Sequence, residues 1–212
     1  MGVLERKERE KEQRRQDILD AALTVFARKG MDQATMDDVA EAAELSKATL
    51  YLYFSGKEEM YFALHLRGQE IFYRMVARPG KTVGSFNEKF LAYLNTLVAF
   101  QQKYPDYFEA SFHFLTRGIS LEKNHVLVKQ HNENNRLFMN LWIALIQEGK
   151  GVGIIREELD EVTAAIVFWM QFTGFLKIYP ALKNNIKKQY GFSNQELVQK
   201  FFDLIQFGLF KK

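Results

Sequence analysis

The sequence predicts an all-α protein. Apolar residues recur at helical spacing through most of the 212 residues, and no segment alternates apolar and polar residues long enough for a half-buried strand. Ser or Thr precedes several of these periodic segments and Gly or Pro follows them, which is typical of helix starts and stops. No internal repeat of roughly 20–50 residues is visible, so a solenoid is not expected.

The composition is that of a folded protein without thiol chemistry. Hydrophobic residues make up 47% of the chain, charged residues make up 26%, and there is no cysteine. Disulfides and cysteine nucleophiles are therefore excluded, and a reducing cytoplasm fits. The first ten residues lack the apolar stretch of a signal peptide. We expect a cytoplasmic protein.

The longest uncharged run lies between Glu161 and Lys177. It is shorter than the roughly 20 apolar residues that cross a bilayer, and it contains polar residues such as Gln171. This pattern predicts a helix buried in an interface, and we expect no membrane segment.

The first predicted helix spans Arg14–Gly30, and Gly30 ends it. Its inner stripe consists of Ile18, Ala22, Val25 and Phe26. Residues 1–13 alternate acids and bases, which is typical of a solvated helical extension. An arm that carries Arg6, Arg9 or Arg14 to a nucleic-acid backbone is the open alternative.

Two short helices around a tight turn follow, within Thr35–Lys57. Thr35 can cap the first of them, with Asp38 in the capping-box position, and Ser46 can cap the second. Leu50 and Phe54 then point back to the first helix. The residues left on the leading end and outer side are Lys47, Ala48, Thr49, Tyr51 and Tyr53. This arrangement is a helix-turn-helix, in which the second helix offers its N-terminal end to the DNA major groove.

Residues 12–62 closely resemble the N-terminal DNA-binding domain of the TetR family of bacterial repressors. The resemblance is carried by RRQDILDAALTVFARKG, the Thr cap of TMDDVAEAA, LSKATLYLYF and GKEEM, in the family's order and spacing. It implies a homodimeric repressor with a helix-turn-helix domain over 1–57 and a helical ligand-binding and dimerisation domain over 58–212. The fourth helix would connect the two domains.

The implied partner is a palindromic operator of double-stranded DNA. Lys47 and Thr49 are expected to read base edges, and Ala48 is small enough to enter the groove and contact a thymine methyl group. Phosphate contacts are expected from Thr35, Tyr51, Tyr53 and Lys57. The two recognition helices of a dimer should lie about 34–36 Å apart, or a multiple of that, to meet successive major grooves.

Three features qualify this resemblance. Glu44 stands where most family members carry Gly, and a left-handed backbone there would cost roughly 1 kcal/mol. Leu52 stands in a pair that is often Tyr-His, and its side chain cannot bond a phosphate. The net charge is only +3, without a general basic patch, so we expect modest non-specific DNA affinity.

Beyond the DNA-binding segment the periodicity predicts six helices. They are a connector ending near Ala77, then Phe86–Lys103, Asp106–Gly118, Leu121–Gln147, Glu158–Tyr179 and Asn194–Phe210. Ser55 and Glu58 are expected to cap the connector. We expect breaks at Arg78-Pro79-Gly80 and Pro180, and a flexible loop over Glu148–Gly153.

Aromatic residues, at 14% of the chain, suggest a second site. Such residues usually form core, but together they can line an apolar cavity closed by a few polar groups. The family resemblance favours a cavity for a small apolar or aromatic effector. The candidate ligand-binding residues are Tyr93, Tyr107, Phe112, His113, Phe138, Trp142, Trp169 and Phe172.

The last two predicted helices look apolar around more than one face. Ala164, Ala165 and Gly174 are small enough for close helix approach. A two-fold four-helix bundle, built from both helices of each protomer, would bury these faces and make a homodimer. Core within one protomer is the alternative.

Other kinds of chemistry find little support in the sequence. Gly80-Lys81-Thr82 lacks the first glycine and the preceding strand of a phosphate-binding loop. The histidines have no metal-ligand spacing with one another, and no nucleophile stands with a base. We therefore expect no catalytic residue, no metal and no cofactor.

Three alternative functions stay open at this point. One is a helical metabolite- or lipid-binding protein with a degenerate DNA-binding domain. Another is an enzyme on an all-helical scaffold, and the third is an activator, because nothing in the sequence indicates the direction of regulation.

Overall fold

The computed structural model describes residues 2–76, 84–118 and 125–210, and every extended regular element in these ranges is a helix. The helices are α1 Val3–Gln33, α2 Met36–Ala42, α3 Lys47–Tyr51, α4 Lys57–Val76, α5 Phe86–Lys103, α6 Pro105–Arg117, α7 His125–Gly151, α8 Glu161–Tyr190 and α9 Asn194–Leu209. A single antiparallel bridge pairs Ile155 with Phe210 in the described part. The all-α prediction is confirmed.

Helix α1 forms as its stripe predicts. Ile18, Ala22 and Val25 are buried, and the charged N-terminal extension continues the helix in solvent. Gly30 has a φ of 75° and interrupts the helix, and helical turns resume as far as Gln33. A positive φ is accessible to glycine without steric cost, so this residue sets the direction in which the chain enters α2.

Side-chain caps define the two short helices, as predicted. Thr35 Oγ1 accepts from the Asp38 backbone N–H at 3.1 Å, and the Asp38 carboxylate accepts from the Thr35 N–H at 3.0 Å. Ser46 Oγ accepts from the Thr49 N–H at 3.1 Å and starts α3. Between them Glu44 has a φ of 54°, the left-handed conformation that glycine would adopt more easily.

Replacing Glu44 is therefore expected to stabilise the protein. Glu44→Gly should raise the free energy of unfolding by about 0.5–1 kcal/mol, because glycine carries no Cβ to clash at positive φ. Urea denaturation measures the change. Glu41→Gly, at an exposed position inside α2, is the matched control and should instead cost about 1 kcal/mol. Equal losses in both variants would contradict the strain at Glu44.

Several predicted boundaries are wrong. Glu59, and not Glu58, accepts from the Ser55 backbone and hydroxyl at the start of α4. The predicted loop over Glu148–Gly153 is largely the last turn of α7, which ends at Gly151. Gly149 can adopt a helical backbone, and its lack of a side chain leaves room for Ile155 and Phe86 to pack against it. Both Arg78-Pro79-Gly80 and Gly80-Lys81-Thr82 lie outside the described residues, as do residues 121–124.

The predicted stop at Pro180 is also wrong, because α8 continues through it. Proline removes one backbone donor and disfavours the turn before it, but a long helix can absorb the defect. The helix ends at Gly191 (φ 78°), whose N–H donates to the Lys187 carbonyl at 3.0 Å. The left-handed glycine, and not the proline, provides the stop.

The backbone forms two compact units. Unit 1 comprises Met1–Arg74 and Gln102–Asn132, and unit 2 comprises Met75–Gln101 and Glu133–Lys212. Unit 1 thus contains α6 together with the helix-turn-helix. This is a division by compactness, and the functional boundary between residues 57 and 58 stays a prediction.

Helix α8 is long and apolar enough to cross a membrane by length and composition alone, the only such helix among the described residues. Core helices of soluble proteins pass the same test. Only a third of its most apolar 18-residue segment is buried within the protomer. The exposed side of this helix therefore carries apolar surface without a partner in the described part of the protomer.

Candidate nucleic-acid interface

Helix α3 is held with its leading edge outward. Leu50 and Phe54, the predicted inner residues, are almost fully buried. Lys47, Ala48 and Tyr51 are exposed, whereas Thr49 and Tyr53 are half-buried. The structure therefore brings the predicted DNA-contacting side chains of α3 to one surface, and their contact with DNA stays a prediction.

Helix α1 contacts the segment that directly follows α3. The Arg15 guanidinium lies 4.8 Å from the centre of the Phe54 ring, a cation–π contact beside the buried end of the motif. Val39 and Ala40 of α2 are buried as well. The helix-turn-helix is thus a packed unit, which a rigid approach to the groove requires.

Lys47 is paired within the protein. Its ammonium group donates to Asp37 Oδ2 at 2.9 Å, and both side chains are at least half exposed. The hydrogen bond and charge of Asp37 raise the pKa of Lys47. Such an exposed pair contributes little to stability, so a base or phosphate acceptor can replace Asp37 at low cost.

Two threonine hydroxyl groups, Thr49 (a predicted base contact) and Thr35 (a predicted phosphate contact), have local partners too. Thr49 Oγ1 lies 2.8 Å from Ser46 Oγ, and Thr35 Oγ1 accepts the Asp38 N–H. A hydroxyl oxygen has further capacity after one such bond. The side chain of Thr35 is exposed at the start of α2.

Lys57 differs from the prediction. Its ammonium group donates to the backbone carbonyls of Met31 (2.9 Å), Asp32 (2.9 Å) and Ala34 (3.0 Å). An ammonium group has three donors, so all are used at the end of α1. This geometry favours a structural role for Lys57, because contact with a phosphate would break bonds that hold the entry to α2, and its contact with DNA stays a prediction.

A second link to the end of α1 was not predicted. The Arg117 guanidinium at the end of α6 donates to both carboxylate oxygens of Asp32, at 2.9 and 3.2 Å. This pair lowers the pKa of the Asp32 carboxyl. Sequence reasoning missed it because the two residues lie 85 positions apart.

Unit 1 also contains a chain of hydrogen-bonded polar groups, of which His65 is buried and Ser111 and His131 are half-buried. The Ser111 hydroxyl donates to the Tyr107 carbonyl at 3.0 Å, so its oxygen is free to accept from His65 Nδ1 at 2.9 Å. His65 Nε2 then accepts from His131 Nδ1 at 2.9 Å. Burial, then the neighbouring His131, lowers the pKa of His65 to about 3, and burial lowers the pKa of His131. Both imidazoles are therefore neutral at pH 7.

The eight candidate effector residues divide between the two units. Tyr107, Phe112 and His113 belong to α6 in unit 1, where the His113 ring meets Tyr61 edge-on at 5.2 Å. The five residues in unit 2 are Tyr93, Phe138, Trp142, Trp169 and Phe172. They share one aromatic cluster with Phe168.

Trp142 lies at the centre of this cluster. Its ring centroid is 4.9 Å from that of Phe168, 6.0 Å from that of Tyr93 and 6.1 Å from that of Phe138. Phe138 in turn meets Trp169 edge-on at 4.5 Å. In the described part of the chain, the buried Trp142 Nε1 has no hydrogen-bond acceptor. The cluster is therefore apolar with an unused donor at its centre, and Thr173 Oγ1, next in sequence to Phe172, also has no partner in the described residues.

No group of three or more His, Cys, Asp or Glu side chains in the described ranges is arranged to hold a metal ion. The polar clusters above are pairs and chains of hydrogen bonds.

Known proteins share both the motif and the fold. The family profile described as "Bacterial regulatory proteins, tetR family" matches residues 18–64. A transcriptional regulator of Bacillus subtilis, YfiR, is 51% identical over 51 residues, which are 24% of this chain and 25% of that protein. The repressor KstR2 of Rhodococcus jostii is 27% identical over 155 residues, which are 69% of this chain and 70% of that protein.

Solved structures agree over almost the whole chain. KstR2 of Mycobacterium tuberculosis, a ketosteroid transcriptional regulator, has a TM-score of 0.69 and 16% identity, covering 94% of this chain and 96% of that chain. FadR of Bacillus halodurans, a fatty acid degradation regulator, has a TM-score of 0.68 and 23% identity, covering 91% and 94%. At these identities the likeness shows the fold.

A helix-turn-helix at the N-terminus of an otherwise helical chain defines a class of DNA-binding proteins. The family profile and the names of the relatives go further: residues 18–64 match the DNA-binding domain of the TetR family, and the chain as a whole is similar to TetR-family regulators. It spans only about a quarter of the first two curated relatives that it matches.

Proposed function

We propose that this protein is a homodimeric, ligand-responsive transcriptional repressor of the cytoplasm. It would bind a palindromic operator and be released by a small apolar or aromatic effector. The observation that carries the proposal is the exposed leading edge of α3, held outward by the buried Leu50 and Phe54.

The proposed DNA contacts follow from this edge. Lys47 leaves Asp37 to donate to base acceptors, Thr49 contacts a neighbouring base, and Ala48 permits close approach. Tyr51 and Tyr53 donate to phosphate oxygens on either side of the groove. Lys57 supports the site through the carbonyls that it holds.

The proposed dimer uses α8 and α9. Both helices expose large apolar residues in the protomer, among them Met170 (57%), Leu204 (71%) and Phe207 (66%). A four-helix bundle with a second copy would bury these side chains, each worth about 1.5–3 kcal/mol when fully buried.

The proposed effector is apolar and carries a hydrogen-bond acceptor, because the unit 2 cluster offers aromatic rings and the Trp142 donor. The relatives named for ketosteroid and fatty acid regulation agree with this class. AibR, a protein of similar fold (TM-score 0.62), was solved with isovaleryl coenzyme A and operator DNA. An effector that binds the DNA-free form more tightly, by a typical 1–3 kcal/mol, would release the operator through α4.

Two substitutions on α3 test the DNA contacts. After selection of a preferred duplex from a random pool, Lys47→Ala should relax base preference at one position by about 1–3 kcal/mol. Tyr51→Ala should weaken all duplexes alike by about 1 kcal/mol, because a phosphate contact does not depend on sequence. Fluorescence anisotropy with matched and mismatched duplexes measures both.

Leu52→Ala is the control, since Leu52 is exposed on the same helix end and has no group to bond a phosphate. The reverse pattern between Lys47 and Tyr51 would reject the division of roles. Failure to select any sequence would favour the alternative of a metabolite- or lipid-binding protein with a degenerate DNA-binding domain.

A further inference from the structure

We infer that the two copies of α8 in the dimer cross antiparallel at Gly174, which lies on the two-fold axis. This inference rests on the proposed homodimer and specifies its register. Three observations on α8 carry it: an apolar outer face, a glycine at the centre of that face, and opposite charges at the two helix ends.

Helix α8 has two apolar faces. On the inner face Ala165, Phe168, Phe172 and Leu176 are buried in unit 2. The apolar residues of the outer face are Ile166 (41% exposed), Val167 (41%), Met170 (57%) and Ile178 (56%). Residues 167, 170, 174 and 178 follow one another at spacings of three and four, so they lie along one side of the helix. An apolar stripe opposite a buried face needs a second partner.

The outer face continues into an open groove between α8 and α9. This groove of about 360 Å³ is lined by Val167 and Gln171 of α8 and by Leu204 and Gly208 of α9. A partner helix laid on the outer face of α8 would place side chains in this groove. The surface is therefore shaped for a helix, as in a four-helix bundle.

Gly174 lies near the middle of both α8 and the outer face. A Cβ built on it meets no atom within 4 Å, so nothing inside the protomer requires glycine there. Glycine in a helix interior costs about 1 kcal/mol relative to alanine. Close approach of a second helix accounts for it, since a missing side chain lets two backbones meet.

The charges at the helix ends make the second copy the fitting partner. Asp160 gives the N-terminal end of α8 its negative charge, beside Glu161, which already pairs with Lys150 at 2.8 Å, and Lys187 and Lys188 stand at the C-terminal end. Antiparallel crossing at Gly174 brings the acidic end of each copy towards the basic end of the other. A parallel pair would oppose like charges and align the helix dipoles.

Single-cysteine variants of the full chain test this register, because the protein has no cysteine of its own. Gly174→Cys should form a disulfide dimer on mild oxidation, since the residue faces its own copy on the axis. Val167→Cys and Ala181→Cys lie on the same face, on either side of Gly174 and equally far from it. Each should resist cross-linking to itself, because the two copies of a residue separate by about 3 Å for every residue of displacement from the axis.

A mixture of the Val167→Cys and Ala181→Cys proteins gives the decisive result. In an antiparallel pair centred on Gly174 these two residues face each other, so a short bis-maleimide should join the mixture and neither protein alone. A parallel pair would show the reverse pattern. Dimers in which another position cross-links best would overturn the Gly174 register and leave the homodimer intact.

Gly174→Leu supplies an independent measurement. The protomer has room for the side chain, so helicity should be kept, whereas the dimer should dissociate about tenfold more readily or more in sedimentation. Asn95→Leu, at an exposed position of α5, is the matched control and should leave dissociation unchanged. A wild-type chain that stays monomeric, or that transfers to phospholipid vesicles in place of pairing, would overturn both this register and the homodimer.

Discussion

Acidification from about pH 7.5 to about pH 5.5 is expected to lower the free energy of unfolding by about 1.4 kcal/mol through His65 alone. The pKa of His65 is about 3 in the folded protein, against 6.5 for an unperturbed histidine. Between these values the unfolded chain binds the proton and the folded chain does not. The stability from the neutral imidazole is therefore fully present above about pH 6.5 and is lost as the pH falls towards 3.

The size of this effect follows from burial. His65 is only 4% exposed, so a proton on its ring would be placed among the rings of Phe62 and Phe114. The half-buried His131 acts in the same direction, since its pKa is also lowered. The largest slope for one such group is about 1.4 kcal/mol per pH unit, and by about pH 4.5 the loss through His65 reaches about 2.5 kcal/mol.

Urea denaturation across this pH range measures the slope. His65→Gln should remove the larger part of it, and the double variant with His131→Gln should keep only the smaller slope that comes from His113, whose pKa is also lowered by burial. The carboxyl of Asp38, whose pKa is lowered to about 2, loses its contribution only in more acid solution and does not interfere. A double variant with the wild-type slope would contradict the assignment to these histidines.

The helices with a local signal could be predicted from the sequence. The caps at Thr35 and Ser46 act within three residues of themselves, so the motif that they define is confirmed at the level of individual hydrogen bonds. Both ends of α5, Phe86 and Lys103, were predicted correctly, because its helical periodicity is also a local signal. The helix stop predicted at Pro180 was wrong, because the local effect of one proline is outweighed by the packing of the whole helix.

The long-range parts of the site could not be predicted. His65 reads as a lone histidine in the sequence, and its partners Ser111 and His131 lie 46 and 66 positions away. The division of the candidate effector residues between two units also depends on packing. The helical spacing of these aromatic residues is the same whether they line one cavity or lie in separate units. The sequence predicts a phosphate contact for Lys57 because the residue stands at the amino end of the fourth helix, whereas the acceptors that it binds in the structure belong to the end of α1.

Lys57→Met is expected to lower the free energy of unfolding by about 2–4 kcal/mol without DNA present. Methionine keeps an apolar chain of similar length but cannot donate, so three carbonyls at the end of α1 lose their partner. Two of these bonds, to Met31 and Ala34, are partly buried, where an unsatisfied acceptor costs about 1–3 kcal/mol. Thermal or urea denaturation of the free protein measures the loss.

Lys47→Met is the matched control, because it removes a lysine from the same motif whose ammonium group donates to the exposed Asp37. Its cost should stay below about 1 kcal/mol, as for other exposed ion pairs. The two lysines should then separate in function: Lys47→Met loses base preference in a stable protein, whereas Lys57→Met loses DNA affinity through a loosened entry to α2. If Lys57→Met were as stable as the wild type and merely weakened binding to every duplex, the result would show that the ammonium group contacts a DNA phosphate. The three carbonyl contacts would then be dispensable to the fold.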